Sequence, residues 1–373
     1  MFLGTVAWQF VHVSLPFHIQ EISPYEPAAT LRWTGWILGV SSLVTVFTAP
    51  FWGRWAERGN PKQLYVVVEM LQGVAFGAMA LAHTLPELFG IRAALGLVGA
   101  ASTFAFIMAG RLGSTAEVRR QVASVQSAMT VGQVLGPLVG AIVAARVGFR
   151  ASFIVGGLLL VGCALLVRWG VDAPVARAGA KAERRGARLS EVFIAAAIIL
   201  GGSAQVFFLP AILPRIMLDL GVPAAETLTM GGLVISASGV AAALGSMAAP
   251  RLAELLPERR MVPALLAVGS VFLIACGLTA SVLGFGALRF LQVLCIAPVF
   301  PIVFSRIAQH ASGEAIGFVN SARIGAAFVG PVVATSVLAH GSAATVYVVL
   351  AALTLACVPL AAGVWRGARP RPA

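Results

Sequence analysis

SAMTVGQVLGPLVG, residues 127–140, lies inside an apolar run too long for the core of a water-soluble domain, and it sets Gly132, Gly136 and Gly140 four residues apart with Pro137 among them. Glycines at that spacing line one side of a helix and let a second helix approach backbone to backbone. A proline inside the helix removes one backbone hydrogen bond and bends it. The stretch returns 194 residues later as SARIGAAFVGPVVA, residues 321–334, which aligns without a gap. Ser321, Ala322, Gly325, Gly330 and Pro331 stand there in a pattern close to that of Ser127, Ala128, Gly132, Gly136 and Pro137. The chain therefore reads as two copies of one design.

Hydrophobic residues make up 59% of the 373, charged residues only 11%, and mean hydropathy is +0.93, a balance that excludes an ordinary soluble domain. A hydrocarbon core about 30 Å thick takes roughly 20 apolar residues per spanning helix. Apolar runs of that order occupy residues 2–19, 33–51, 64–81, 88–109, 122–145 and 151–169, and again 192–217, 228–249, 262–283, 288–307, 315–339 and 344–364. They do not alternate in hydrophobicity, which excludes a membrane β-barrel. The expected fold is all-α and integral to the membrane: twelve transmembrane helices in two pseudo-symmetric six-helix halves, residues 1–171 and 191–373. Between them, residues 172–190 form a polar, basic linker. Met1 opens almost directly onto an apolar run with no basic n-region and no small-residue cleavage site, so a first spanning helix is expected rather than a removable signal peptide.

The net charge of +12 does not point to nucleic acid, because the basic residues fall in loops between apolar runs and are not interleaved with exposed aromatics. They fix an orientation instead. With both termini inside, nineteen of the 26 Lys and Arg lie in cytoplasmic loops and only Arg32, Arg146, Arg150 and Arg215 lie outside, which predicts a multi-pass inner (plasma) membrane protein with cytoplasmic termini and linker. Cys163, Cys276, Cys295 and Cys357 sit inside apolar runs without CxxC spacing and read as buried thiols, so no metal or cofactor is expected.

Twelve spans, a central basic linker and a repeated set of six helices resemble the major facilitator superfamily of secondary transporters, whose halves pack around a midplane site. Short motifs carry the resemblance further. Residues 53–62, GRWAERGNPK, resemble the loop signature G-x-L-A-D-R-x-G-R-K, departing at Trp55, Glu57, Asn60 and Pro61, and 249–260 hold a degenerate copy. The resemblance assigns a gating role to Gly53, Glu57, Arg58 and Lys62: the glycine for close helix approach, the acid and Arg58 to latch the cytoplasmic side, with Asn60 taking a left-handed turn in place of glycine. Residues 92–99, RAALGLVG, resemble R-x-x-Q-G-x-G with Leu95 in place of Gln, and Arg289 to Gln292 repeat its start. The opening stretch, with Gly132, Gly136, Pro137 and Gly140, resembles G-x-x-x-G-P-x-x-G-G, a signature associated with drug and proton antiporters, and only Ala141 differs.

What the resemblance implies is a monomeric secondary active transporter in the lipid bilayer. Its partners are a small-molecule substrate and protons, and it would export small amphiphilic compounds by proton antiport with alternating access. Exporters or facilitators of a metabolite, sugar or siderophore share the fold. A membrane-embedded enzyme would need clustered His or paired carboxylates at one membrane face, and five scattered His with one deep acid do not form such a constellation.

Polar residues inside spans give the candidate sites. Glu69 is the only acid well inside an apolar run, and it leads the proton-coupling candidates with Arg92 and His12. Arg92 enters its helix from the opposite side and is not expected to pair with Glu69. Candidates for a substrate cavity are Gln9, Met129, Gln133, Gln205, Phe208, Arg289, Gln292, Asn320 and Arg323. Each of the Gln and Asn could equally be a hydrogen-bonded tie between helices, and Met129 and Phe208 could equally be core packing. Arg323 is expected near the midplane of the eleventh span, where its own helix offers no counter-charge.

Overall fold

The computed structural model describes residues 1–99, 101–110, 115–171, 189–310 and 313–359. All regular structure among them is helical. The first half of the sequence forms α1 (Phe2–Ile22), α2 (Pro27–Arg58), α3 (Pro61–Leu81), α4 (Leu85–Leu97), α5 (Ala101–Gly110), α6 (Thr115–Val147) and α7 (Phe149–Gly170). The second forms α8 (Leu189–Phe207), α9 (Leu209–Asp219), α10 (Thr227–Leu255), α11 (Glu258–Cys276), α12 (Val282–Ile296), α13 (Val299–His310), α14 (Gly313–Leu338) and α15 (Ala343–Leu355). Three pairs, α4 with α5, α8 with α9 and α12 with α13, are broken rods within the continuous apolar spans Leu85–Ala109, Leu189–Asp219 and Val282–Ile307. Counted as rods, the described helices make twelve: ten long and apolar enough to cross a membrane, together with α1 and the shorter α15. Of the 172–190 linker, residues 172–188 lie outside the described residues, as does the end of the last apolar run, while Leu189 and Ser190 already belong to α8.

Local chemistry sets the helix starts. Pro27, Pro61 and Pro86 occupy first-turn positions whose N–H groups have no intrahelical partner anyway. Thr84 and Glu87 make a reciprocal capping box on α4, and Ser281 and Ser342 cap α12 and α15. The ninth apolar run is shorter than expected: α11 stops at Cys276 rather than near residue 283, because Gly277 ends it and the Ser281 hydroxyl already accepts from the Gly284 N–H at 3.1 Å to begin the next helix. Apolar side chains also face outward. Trp169, Met247, Leu278 and Leu283 are 76–85% exposed, a surface that suits lipid and not water.

Contacts group the chain into two compact units: Met1–Glu26, Trp36–Lys181 and Pro223–Ser236 form the first, and Pro27–Gly35, Ala182–Val222 and Ala237–Ala373 the second. In the first, α1 packs on α6 and α7, and α3 on α7. In the second, α8 packs on α14 and α15, and α11 on α15. Taking rods in order, these are the same three pairings, so the repeat seen in sequence returns as repeated packing. The units cut across the sequence halves in two places. The opening of α2 belongs with the second unit because Gly35 lies against Pro331, Val332 and Thr335, and the opening of α10 belongs with the first because Gly232 lies against Pro137, Leu138 and Ala141.

Candidate functional site

Two polar networks and one isolated cation account for most of the ionisable groups at membrane depth. In the first unit the network grows around the break between α4 and α5. A broken helix frees carbonyls that nothing in hydrocarbon can satisfy, and here side chains from α2 and α3 take them. The Gly96 oxygen accepts from the Thr45 and Thr48 hydroxyls at 3.1 and 3.0 Å, Leu97 from the Trp52 indole at 2.6 Å, and Val98 from the Gln72 amide at 2.5 Å. Gly96 and Gly99 permit this closeness: a Cβ on Gly96 would lie 2.5 Å from the Ser41 oxygen, and one on Gly99 would run into Thr45. The Gln72 oxygen accepts in turn from the Trp8 indole at 2.9 Å.

Arg92, one turn before the break, is 1% exposed. Its Nε donates to the Ile37 carbonyl at 3.1 Å and one Nη to that of Leu38 at 2.9 Å, while its Cζ lies 5.7 Å from the Trp8 ring centroid. Backbone dipoles, not a carboxylate, hold the charge, and Arg92 makes no ion pair with Glu69. Glu69 sits elsewhere in the unit, 2% exposed, accepting from the Tyr65 hydroxyl at 2.7 Å through one oxygen and leaving the other without a partner among the described residues. Gly4 of α1 makes room for it, since a Cβ there would come within 2.9 Å of the carboxylate.

In the second unit the same problem has a different solution. Pro210, at the start of α9, has no N–H for the Val206 carbonyl one turn earlier. Arg289 supplies the donors: its two Nη groups reach the Gln205 and Val206 carbonyls at 2.7 and 2.8 Å, and one of them also reaches the Gln292 side chain at 2.5 Å. The chain continues from Gln292 to the Gln205 side chain at 3.0 Å and from Gln205 to the Ser270 hydroxyl at 2.9 Å. Phe208 lies under the guanidinium, 5.0 Å from its Cζ, and packs edge-on to Tyr347. Gln205, Phe208, Arg289 and Gln292 are all 2% exposed or less and form a closed internal tie through both Nη groups of Arg289 and the two Gln side chains, with the Arg289 Nε left without a partner among the described residues. Trp8, Trp52 and Ser270 complete the two networks, Tyr65 holds Glu69 apart from them, and none of the four carries a motif in the sequence. Their only signal is a polar tip inside an apolar run, which a buried Trp or Tyr must satisfy.

The remaining cavity candidates are more open. Gln9, His12, Met129 and Gln133 are half-buried beside the seam where α6 lies on α1, and Asn320 is exposed and Arg323 half-buried on α14. The seam explains the glycines of the opening stretch. A Cβ on Gly132 would lie 2.8 Å from that of Thr5, one on Gly136 2.6 Å from that of Gln9, and one on Gly140 2.6 Å from the Phe10 Cα. The second unit repeats it with Gly330 against the Ala204 oxygen, flanked by fully buried Ala326 and Ala334. Gly325 is not part of that seam, because the gapless alignment sets it opposite Val131 and a Cβ there would meet nothing.

The loop motif needs two corrections. Gly53 has no atom within contact distance of a built Cβ, so it does not serve close approach here. Asn60 is extended (φ −90°), and its side chain caps α3 by accepting from Lys62 and Gln63 backbone N–H groups at 3.0 and 3.4 Å, which leaves no need for a left-handed residue. Lys62 is half-buried, and the Glu57 and Arg58 side chains lie outside what the structure describes.

Stacked apolar rods, repeated packing and broken helices with satisfied carbonyls define a multi-pass membrane transporter rather than an enzyme. The chain belongs to the Major Facilitator Superfamily, whose family model matches residues 1–231 and 192–373. It is similar to the MFS-type transporter YuxJ of Bacillus subtilis (strain 168), 24% identical over 358 residues covering 92% of this chain and 90% of that one. It is also similar to the multidrug resistance protein MdtG of Klebsiella pneumoniae (strain 342), 24% identical over 381 residues covering 95% and 89%. Among solved structures, a bacterial homologue of the human lysosomal transporter Spinster, inward-facing and occupied, superimposes with a TM-score of 0.81 at 14% identity, covering 100% of this chain and 96% of that one.

Proposed function

We propose that the protein exports small amphiphilic compounds in exchange for protons, by alternating access of its two six-helix halves. The observation that carries the proton half of this reading is Glu69: a carboxyl 2% exposed inside a membrane unit, held by one hydroxyl and with one oxygen free of any partner among the described residues. A group buried in that way exchanges a proton rather than serving as a surface charge. The export half is supported by the antiporter-like stretch at 127–140 and by similarity to MdtG, which is named as a multidrug resistance protein. His12 is the second titratable candidate, half-buried on α1 and within reach of the Arg92 charge.

The test is transport in proteoliposomes with and without an imposed pH gradient. Glu69→Gln is expected to abolish acceleration by the gradient while leaving counterflow of substrate measurable, and His12→Ala to leave a gradient response. Gradient-driven transport intact in both variants would remove the proton role and make a facilitator the better reading.

The same reading places the protein in the inner membrane with both termini and the 172–190 linker in the cytoplasm, on the strength of the loop charges. A single cysteine at Ala180 in an otherwise cysteine-free chain is expected to resist a membrane-impermeant maleimide in intact cells and to react once the membrane is opened. Labelling in intact cells would reverse the topology.

A further inference from the structure

We propose that Arg323, with Asn320 one turn before it and the Phe300–Phe304 pair beside it, forms in the second unit a binding site for the carboxylate of an aromatic, amphiphilic anion. The proposal rests on the exporter reading and names the charge of what is exported.

Three arginines lie at membrane depth, and two are already used. Arg92 and Arg289 are buried and donate into backbone carbonyls that hold their charge. Arg323 differs in each respect. It is half-buried, and among the described residues no carbonyl or carboxylate accepts from it; its recorded partner is the Phe300 ring, 4.5 Å from Cζ to centroid. A ring covers one face of a guanidinium and leaves the N–H edge unused. That edge is the part that pairs bidentately with a carboxylate.

The position makes an unused edge costly. Arg323 is ten residues into α14, about 15 Å along the axis at the usual rise, near the middle of a 26-residue helix. An unpaired cation at such depth is expensive and needs an anion from somewhere. Among the described residues no ion pair supplies one. Glu314 on the same helix is nine residues away, about 13.5 Å along the axis, and Asp219 and Glu258 are paired with Arg215 and Arg306.

Nor does packing call for a cation here. The gapless repeat puts Met129 at the matching place in the first unit, on a helix that makes the equivalent seam. A neutral side chain therefore suffices for the packing, and the guanidinium is an addition. Around it stand the parts of a site for an aromatic acid: the exposed carboxamide of Asn320 as a second donor, and Phe300 stacked on Phe304 at 5.2 Å and 30° as a shelf for a ring.

Binding of three isosteres to the purified full-length protein in nanodiscs tests this: 1-naphthoate, 1-naphthamide and 1-naphthylmethylammonium, by titration calorimetry. The wild type is expected to bind naphthoate about ten- to hundredfold more tightly than naphthamide, the worth of a charge-assisted pair. Arg323→Gln is expected to reduce naphthoate to the level of naphthamide and leave naphthamide within about threefold, and Arg323→Lys to keep part of the preference. Should Arg323→Gln not fold, the wild-type ranking and Arg323→Lys still decide. No preference for naphthoate in the wild type, or a preference unchanged in Arg323→Gln, overturns the site. Transport of the same probes separates this from the exporter reading. Gradient-driven efflux of the ammonium alone, undisturbed by Arg323→Gln, overturns the anion site and leaves export standing. A naphthoate preference lost in Arg323→Gln, with no efflux of any probe, supports the site and overturns export.

Discussion

Arg289→Ala is expected to lower the stability of the protein by about 3–5 kcal/mol, and Pro210→Ala to return about 1 kcal/mol of that loss. The guanidinium serves the Gln205 and Val206 carbonyls and the Gln292 side chain at once, and Pro210, which has no N–H, cannot serve Val206 from within the helix. Removing it leaves buried acceptors unpaired, which costs more than the hydrogen bonds were worth. Alanine at 210 restores a backbone N–H one turn after Val206, so the same carbonyl can be satisfied from within the helix. Pro210 is itself buried, and its removal alone will loosen packing. The informative quantity is therefore the coupling in the double-mutant cycle. Thermal unfolding in detergent reads it, followed with a thiol-reactive dye, since Cys163, Cys276 and Cys357 are buried in the folded state. A double variant as unstable as the sum of its parts would show that Arg289 does not stand in for the missing N–H.

That arrangement marks the boundary of what the sequence discloses. Apolar runs of the right length give the rods, and the repeat of 127–140 at 321–334 gives their duplication. The two arginines are visible as charges where charges are expensive. Their partners are not visible, because charge counting considers only side chains, whereas Arg92 and Arg289 are held by backbone carbonyls whose availability depends on where a helix bends. Part of this was within reach. A proline frees the carbonyl four residues earlier, so Pro210 points to Val206. The break after α4 has no such mark; Gly96 and Gly99 allow it, and Thr45, Thr48, Trp52 and Gln72, on two other helices, make it tolerable. Asn60 shows the opposite limit, where a signature written for glycine suggested a left-handed turn and the side chain's own capping bond decided the geometry.

Gly140→Ala is expected to cost about 1–3 kcal/mol, while Gly325→Ala costs nothing or stabilises by up to about 1 kcal/mol. Both replace a helical glycine in an apolar span by the best helix former, so propensity favours alanine equally at the two sites. What differs is the space. A Cβ on Gly140 would stand 2.6 Å from the Phe10 Cα, a backbone atom that yields only if α1 as a whole moves off α6. At Gly136 the nearest atom is the Gln9 Cβ at 2.6 Å, with the Val6 Cα at 3.2 Å behind it, so the cost there should be similar or slightly less. At Gly325 a Cβ meets nothing within 4 Å. Larger replacements widen the contrast, because Gly140→Leu must separate two helices whose approach the small residues set, whereas the α14 surface at 325 has room. The dye-monitored unfolding used for Arg289 reads both. Equal midpoints for Gly140→Ala and Gly325→Ala would mean that the α1–α6 seam can open without penalty, and the glycines of the opening stretch would then need an explanation other than close helix packing.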